Sequence, residues 1–198
     1  AAQPGVRTII WQDDIFVFTN DKRIEPLCRG IIDGKKSGRF PQHLNFISTN
    51  RIDAMTPERL QLMKQAGFRV LGFGVESFSR NVLTEFNKAQ IYSHVDRNLN
   101  AALDLGLTPF LDLILSSPRS TVADIHTTIV RAYHWIMAGC EVGLYPYIIP
   151  FSGSAMSNDP DLEAHTVYED ITVPGTKISW RQPKSILPVD DDARNTIC

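Results

Sequence analysis

Leu62-Met63-Lys64-Gln65-Ala66-Gly67-Phe68-Arg69-Val70-Leu71-Gly72-Phe73-Gly74-Val75-Glu76-Ser77 runs from the end of a helix into an apolar strand and stops at an acid. Just upstream, Thr56 is placed to cap that helix, Pro57 takes its first position and Glu58 its first turn. The helix then runs through Leu60, Met63 and Lys64 and stops at Gly67. Phe68 to Gly74 is nearly all apolar, Arg69 excepted, as strands of a helix-covered parallel sheet are.

The same alternation extends in both directions. Upstream, Val6 to Trp11 is a short β-rich run that ends at the acidic pair Asp13-Asp14. Lys22 to Lys36 has helical spacing at Ile24, Leu27, Cys28, Ile31 and Ile32, a Gly-rich turn follows at 34–38, and Leu44 to Ser48 reads as a strand. Downstream, Ser79 is placed to cap a short helix with Val82, Leu83 and Phe86, and Ser93 a longer one with Val95, Leu99, Ala102 and Leu103, ending at Gly106. Leu107 to Leu115 is a strand, Thr121 opens a helix through Ile125, Ile129, Ala132, Trp135 and Ile136 to Gly139, and Glu141 to Ile149 is a fifth strand. After Pro150 the sequence turns polar and Pro/Gly-rich, with no further β/α unit. Right-handed crossovers allow a barrel or a doubly wound sheet. No GxGxxG follows the first strand and no GxxxxGK[ST] occurs, so a barrel is favoured.

Bulk composition narrows the function classes. With 43% hydrophobic and 21% charged residues in 198, the chain has the make-up of an ordinary globular protein of one domain. A net charge of -2, with both signs mixed along the chain, gives no electrostatic signal for nucleic acid. No apolar run approaches the roughly 20 residues that span a bilayer. Cys28, Cys140 and Cys198 are far apart and odd in number, which argues against a disulfide framework and fits a reducing, cytoplasmic setting.

In barrels the chemistry gathers at the C-terminal ends of the strands. Here those ends carry Gln12, Asp13 and Asp14, then Ser48, Thr49, Asn50, Arg51 and Asp53, then Glu76 and Ser77, then Asp112, Ser116, Ser117 and Arg119, and last Tyr145, Tyr147, Ser152 and Ser154. Each has a plainer reading. Asp13 and Asp14 are solvated loop acids, or bind an ammonium group or a metal. Glu76 is a surface acid at a helix start, or a site residue. Arg51 pairs only with Asp53, or lines a pocket. Asp112, among Leu111, Leu113, Ile114 and Leu115, needs a partner or a polar cavity. His43, His94, His126, His134 and His165 are scattered, and none reads as a ligand.

The ordered set of strand ends resembles the radical S-adenosylmethionine (radical SAM) enzymes, in the cobalamin-domain and methylthiotransferase-like branch. Ile9-Ile10-Trp11-Gln12-Asp13-Asp14-Ile15-Phe16 is similar to that family's second barrel strand, and Ser48-Thr49-Asn50-Arg51-Ile52-Asp53 to its third. Residues 62–77, with Val82-Leu83 and Asn87-Lys88 downstream, resemble the fourth-strand block, the most specific match. Gly106 to Pro118 resembles the fifth strand, and Tyr147 to Ser154 the sixth. The resemblance implies an α/β fold, a partial TIM-type (β/α)6 barrel with strands two to six present in residues 1–155, and a C-terminal extension at 156–198.

The resemblance also implies the activity and the cofactors. A 4Fe–4S cluster reduces S-adenosylmethionine to release a 5'-deoxyadenosyl radical, and the branch adds cobalamin in a separate domain. By position, Gln12, Asp13 and Asp14 match the segment that meets the methionine ammonium, Thr49 and Arg51 line the pocket, and Glu76 and Ser77 lie near the ribose and methionine. Leu113 to Ser116 and the edge from Tyr147 to Pro150 match the adenine side.

Two departures stand out. The CxxxCxxC loop that holds the cluster is absent, and Cys28 and Cys140, expected on helices, cannot replace it. The start lacks Met and enters directly into the second-strand pattern, so the chain reads as part of a longer one, inactive on its own and with the cluster ligands upstream. Second, Leu115-Ser116-Ser117-Pro118-Arg119 stands where the branch has a Gly-rich turn. The rival readings are an unrelated metal-dependent (β/α) barrel, weakened because no His lies at a strand end, and a cluster-less binding module. Substrate and partner are not legible.

Overall fold

The computed structural model describes residues 5–88, 92–151 and 153–197. Ala1 to Pro4, Ser152 and Cys198 lie outside the described residues. The fold is α/β. One sheet has five parallel strands in the order β1-β2-β3-β4-β5, formed by Thr8–Ile10, Asn45–Asn50, Phe68–Glu76, Thr108–Ile114 and Glu141–Tyr145. The helices between them are α1 (Ile24–Lys36), α2 (Pro57–Ala66), α3 (Arg80–Glu85), α4 (Tyr92–Asp104) and α5 (Val122–Ala138). A second, antiparallel sheet pairs β6 (Thr166–Thr172) with β7 (Ser179–Ile186), and α6 (Asp191–Ile197) follows.

Contacts divide the chain into two compact units. The first holds Ala1–Glu76, Gln90–Asp112 and Tyr133–Gly143; the second holds Ser77–Ala89, Leu113–Ala132 and Leu144–Cys198.

In the first unit the expected helix starts and stops are met at α2. Thr56 accepts a hydrogen bond from the Arg59 N–H at 3.2 Å, and Pro57 takes the first helical position. Gly67 closes the helix at φ 113°, a left-handed conformation that glycine adopts without Cβ strain. A side chain there would also strike Lys35 Nζ and the Leu44 carbonyl. On β3, Leu71, Phe73 and Val75 are wholly buried, while Val70, Gly72, Gly74 and Glu76 alternate on the other face and are less covered, Gly72 excepted. α1 buries Ile24, Cys28 and Ile31 at helical spacing and packs against α2. α4 packs on α2 and on the 3-10 turn Ile52–Ala54, where buried Asn98 donates to the Ile52 and Met55 carbonyls at 2.8 and 3.0 Å.

Some sequence expectations need correction. α4 already includes Tyr92, so Ser93 is itself helical and does not cap the helix. Ser79 does precede α3, but its hydroxyl donates to Asp124 and accepts no hydrogen bond from the first turn of the helix. Cys140 is buried just after α5 and is not helical. β5 stops at Tyr145 because Pro146 has no N–H to continue the ladder. Tyr147 is therefore beyond the strand, and Ile148 forms an isolated antiparallel bridge with Ile186.

The polar tail, in which no further unit was legible, is ordered into β6, β7 and α6. In the second unit its Leu187 N–H donates to the His165 carbonyl, and its Val189 N–H to the Pro118 carbonyl at 2.8 Å. Among the described residues no helix is long and apolar enough to cross a membrane.

Candidate functional site

The acidic pair sits on a short excursion from the edge of the sheet. The Trp11 N–H donates to the Ile47 carbonyl at 2.9 Å, and the Phe16 N–H to the Thr49 carbonyl at 2.7 Å. In a regular parallel strand Asp13, two residues after Trp11, would serve the second of these acceptors. Phe16 serves it instead, so the chain loops out between two successive bonding points. Gln12, Asp13, Asp14 and Ile15 are all exposed on that loop. Its neck is closed by the Trp11 and Phe16 rings, stacked with centroids 4.9 Å apart, and both belong to an aromatic cluster with Phe46 and Phe68. Past the neck, the Arg51 N–H donates to the Val17 carbonyl at 3.0 Å, and Val17 bridges to Asn50.

Thr49 and Glu76 share one face of the sheet. Thr49 is the register partner of Gly72, and a Cβ on Gly72 would lie 3.3 Å from Thr49 Oγ1. Two residues on, a Cβ on Gly74 would lie 3.0 Å from Glu76 Oε1, so the Glu76 side chain folds back along its own strand over the space that Gly74 leaves. Glu76 ends β3 at φ 66°, the left-handed region that non-glycine residues rarely occupy. Such a conformation costs roughly 1 to 3 kcal/mol, which its surroundings must offset.

Arg51 is engaged within its own loop. Its Nε and Nη2 donate to the two Asp53 carboxylate oxygens at 3.0 and 2.7 Å, a bidentate pair. The Arg51 guanidinium holds the Asp53 carboxyl below its ordinary range. Behind this loop, Asn50 is buried and bonds Ser48.

The second unit carries Ser77, Leu113 and Tyr147. Ser77 is wholly buried: its hydroxyl shares a hydrogen bond with Thr128 at 2.8 Å and accepts from the Ser79 N–H at 3.1 Å. Nearby, the buried Asp124 carboxylate accepts from Ser79, from Asn81 at 3.1 Å, and from the N–H and hydroxyl of Thr121. Burial opposes its charge, but these donors together hold its carboxyl below the ordinary value. Leu113 is wholly buried. Tyr147 is half-buried, and its hydroxyl reaches the Ile197 carbonyl at 3.5 Å. The segment that lacks a Gly-rich turn is closed by serines: Ser117 N–H and Oγ meet Ser120 Oγ at 2.6 and 2.9 Å, and Ser116 donates to the Pro146 carbonyl at 2.7 Å.

The first unit thus brings Gln12, Asp13, Asp14, Thr49, Arg51 and Glu76 to the ends of three adjacent strands. Ser77, Leu113 and Tyr147 belong to the second unit. Sequence reasoning missed the aromatic neck at Trp11 and Phe16. The signal was there, two aromatics bracketing a polar tetrapeptide, but only the skipped bonding point gives it meaning. A cavity of about 650 Å³ lies in the first unit beside the first turns of α1 and α2, lined by Asp21, Lys22, Glu25, Thr56, Glu58 and Arg59. It includes none of the strand-end residues above.

An iron–sulfur cluster does not fit the described residues. Cys28 and Cys140 are both buried, and burial pushes their thiols up to about 12 and about 11, far from the thiolate form that ligates iron. No group of three or more His, Cys, Asp or Glu suited to a metal ion occurs among the described residues.

Residues 10–132 match the Radical SAM superfamily. No curated protein matches the chain. Solved structures share its fold. The radical S-adenosylmethionine methyltransferase TsrM from Kitasatospora setae, with cobalamin and a 4Fe-4S cluster bound, is 13% identical with a TM-score of 0.67 over 86% of this chain and 32% of its own. Coproporphyrinogen III oxidase (HemN) from Escherichia coli, a radical SAM enzyme, is 19% identical with a TM-score of 0.57 over 72% of this chain and 32% of its own. The cobalamin-dependent S-adenosylmethionine radical enzyme OxsB, with aqua-cobalamin and S-adenosylmethionine bound, is 19% identical with a TM-score of 0.54 over 64% and 19%. The chain therefore spans a third or less of the length of these proteins.

Proposed function

The chain belongs to the radical SAM superfamily, and on that premise we propose that it forms the S-adenosylmethionine-binding part of a radical SAM enzyme. β1 to β5 stand where the family's strands two to six are expected, residues 1–155 supply the barrel part, and 156–198 are an extension. The observation that carries the reading is the exposed Gln12–Ile15 loop at the end of β1, beside the strand ends that bear Thr49 and Glu76.

Each residue type suits its assignment. Two carboxylates on a short, anchored loop attract the methionine ammonium, and Gln12 adds an amide. Glu76, aimed back along β3, accepts from vicinal ribose hydroxyls. Thr49 offers a hydroxyl on the same face. Arg51 contributes through its ion pair with Asp53, which orders the loop after β2. Ser77, buried against Thr128, holds the turn after β3 and does not offer its hydroxyl to a ligand. Leu113 and Tyr147, which the resemblance puts on the adenine side, belong to the second unit, Leu113 wholly buried and Tyr147 half-buried. The cluster thiolates come from outside the described residues, and cobalamin belongs to a separate domain.

The test is direct binding of S-adenosylmethionine to the protein by titration calorimetry. We expect Asp13→Asn/Asp14→Asn and Glu76→Ala each to weaken binding about tenfold or more, the loss of roughly one charge-assisted hydrogen bond. Unchanged affinity in both variants, or no binding by the unaltered protein, overturns the reading in favour of a module with another ligand.

A further inference from the structure

We infer that Arg59 is a positioning residue that clamps the two candidate binding loops to each other. This rests on the reading that those loops hold S-adenosylmethionine. Arg59 lies in the first turn of α2, on neither loop, and its guanidinium donates to a backbone carbonyl in each. Nη1 meets the Ala54 carbonyl in the loop after β2, and Nη2 meets the Asp21 carbonyl in the loop after β1 at 3.2 Å.

What Arg59 grips on the β1 side is itself tied to the neck of the acidic loop. The Asp21 side chain is only 1% exposed and accepts from Arg23 Nε at 3.1 Å, Nη2 at 3.0 Å and its N–H at 2.8 Å. The same Arg23 Nη2 also donates to the Phe16 carbonyl at 3.2 Å. Phe16 closes the neck below Asp13 and Asp14. On the β2 side, Ala54 belongs to the turn that starts at Arg51 and that Asn98 holds from α4. One side chain on a helix therefore adds a cross-link between the loop of Asp13 and Asp14 and the loop of Arg51 and Asp53, beside the backbone bonds from Phe16 to Thr49 and from Arg51 to Val17.

Arginine is the residue this task needs. Its planar fork offers N–H groups in divergent fixed directions, so it bridges two carbonyls without choosing between them. A lysine ammonium on a flexible stem satisfies one and lets the other drift. Small misplacements of groups that hold a ligand are costly, since binding depends on all partners meeting it at once.

The experiment compares Arg59→Lys with the unaltered protein, alone and in the Asp13→Asn/Asp14→Asn background. We expect Arg59→Lys to raise the dissociation constant for S-adenosylmethionine about tenfold and to speed amide hydrogen exchange selectively at residues 16–23 and 52–55. In the background without the acids, the same substitution changes affinity by less than about twofold, because the group it positions is gone. An equal loss of affinity in both backgrounds, or no change in exchange at those residues, overturns the proposal. Should Arg59→Lys fail to fold, Arg59→Gln, which keeps a planar donor for one carbonyl, takes its place with the same expected readouts. If the acid substitutions alone leave affinity unchanged, the S-adenosylmethionine reading fails, while the exchange data still decide whether Arg59 clamps the loops.

Discussion

Trp11 and Phe16 stack with their ring centroids 4.9 Å apart across the neck of a tetrapeptide that carries two acids. Five residues apart in sequence, they donate from their backbones to carbonyls only two residues apart on β2. The stack and those two hydrogen bonds make the acidic loop a fixed feature of the sheet edge.

This relationship predicts how Trp11 responds to substitution. Its indole Nε1 is buried without a hydrogen-bond partner among the described residues. Trp11→Phe keeps the stack and removes an unsatisfied donor, so urea unfolding should show a change within about 1 kcal/mol. Trp11→Ala removes the stack and leaves a void against Phe46, at a cost of about 2 to 3 kcal/mol given that the residue is only half-buried.

Glu76 should separate stability from binding. Its φ of 66° is strained for a side chain with a Cβ and free for glycine. Glu76→Gly is therefore expected to leave the unfolding midpoint unchanged or raise it by up to about 1 kcal/mol in stability, while affinity for S-adenosylmethionine falls. A loss of stability comparable to a core truncation would show that the Glu76 contacts outweigh its backbone strain.

Two groups give the chain opposite pH limits. Hydrogen bonds from Arg23 hold the Asp21 carboxyl below its ordinary value of 3.8, so the folded chain releases this proton more readily than the unfolded one. Its contribution is complete above about pH 5 and is lost as pH falls through 3.8 and below. Burial pushes the Cys28 thiol from 9.0 up to about 12, so here the folded chain keeps its proton longer. Its contribution is complete below pH 9.0 and is lost as pH rises from there toward about 12. Denaturant titrations at a series of pH values should show Asp21→Asn flattening the acid limb and Cys28→Ala the alkaline one.

Most of the β/α order was legible because each element announces itself locally. The Thr56 cap, Pro57 and the Gly67 stop mark α2 through backbone chemistry that acts within a few residues, and the structure keeps all three. The run from Phe68 to Val75 reads as a buried strand because its one polar residue, Arg69, lies exposed near the start and Leu71, Phe73 and Val75 follow unbroken. The early end of β5 was legible in principle at Pro146, which cannot donate to a ladder. The β6–β7 pair was harder to read, since its strands mix charged and apolar residues and only the Pro174-Gly175 turn between them is a local signal.

The site divides the same way. Sequence alone placed Gln12, Asp13, Asp14, Thr49, Arg51 and Glu76 at strand ends, because a strand's end follows from where its apolar alternation stops. Only the tertiary structure decided what each side chain is free to do. It pairs Arg51 with Asp53, buries Ser77 against Thr128, loops the acids out between two bonding points of β2, and sets Arg59 across both loops. Those outcomes depend on which hydrogen-bond partners lie within about 3 Å in space, a quantity that sequence separation does not fix once the chain has crossed from one strand to the next.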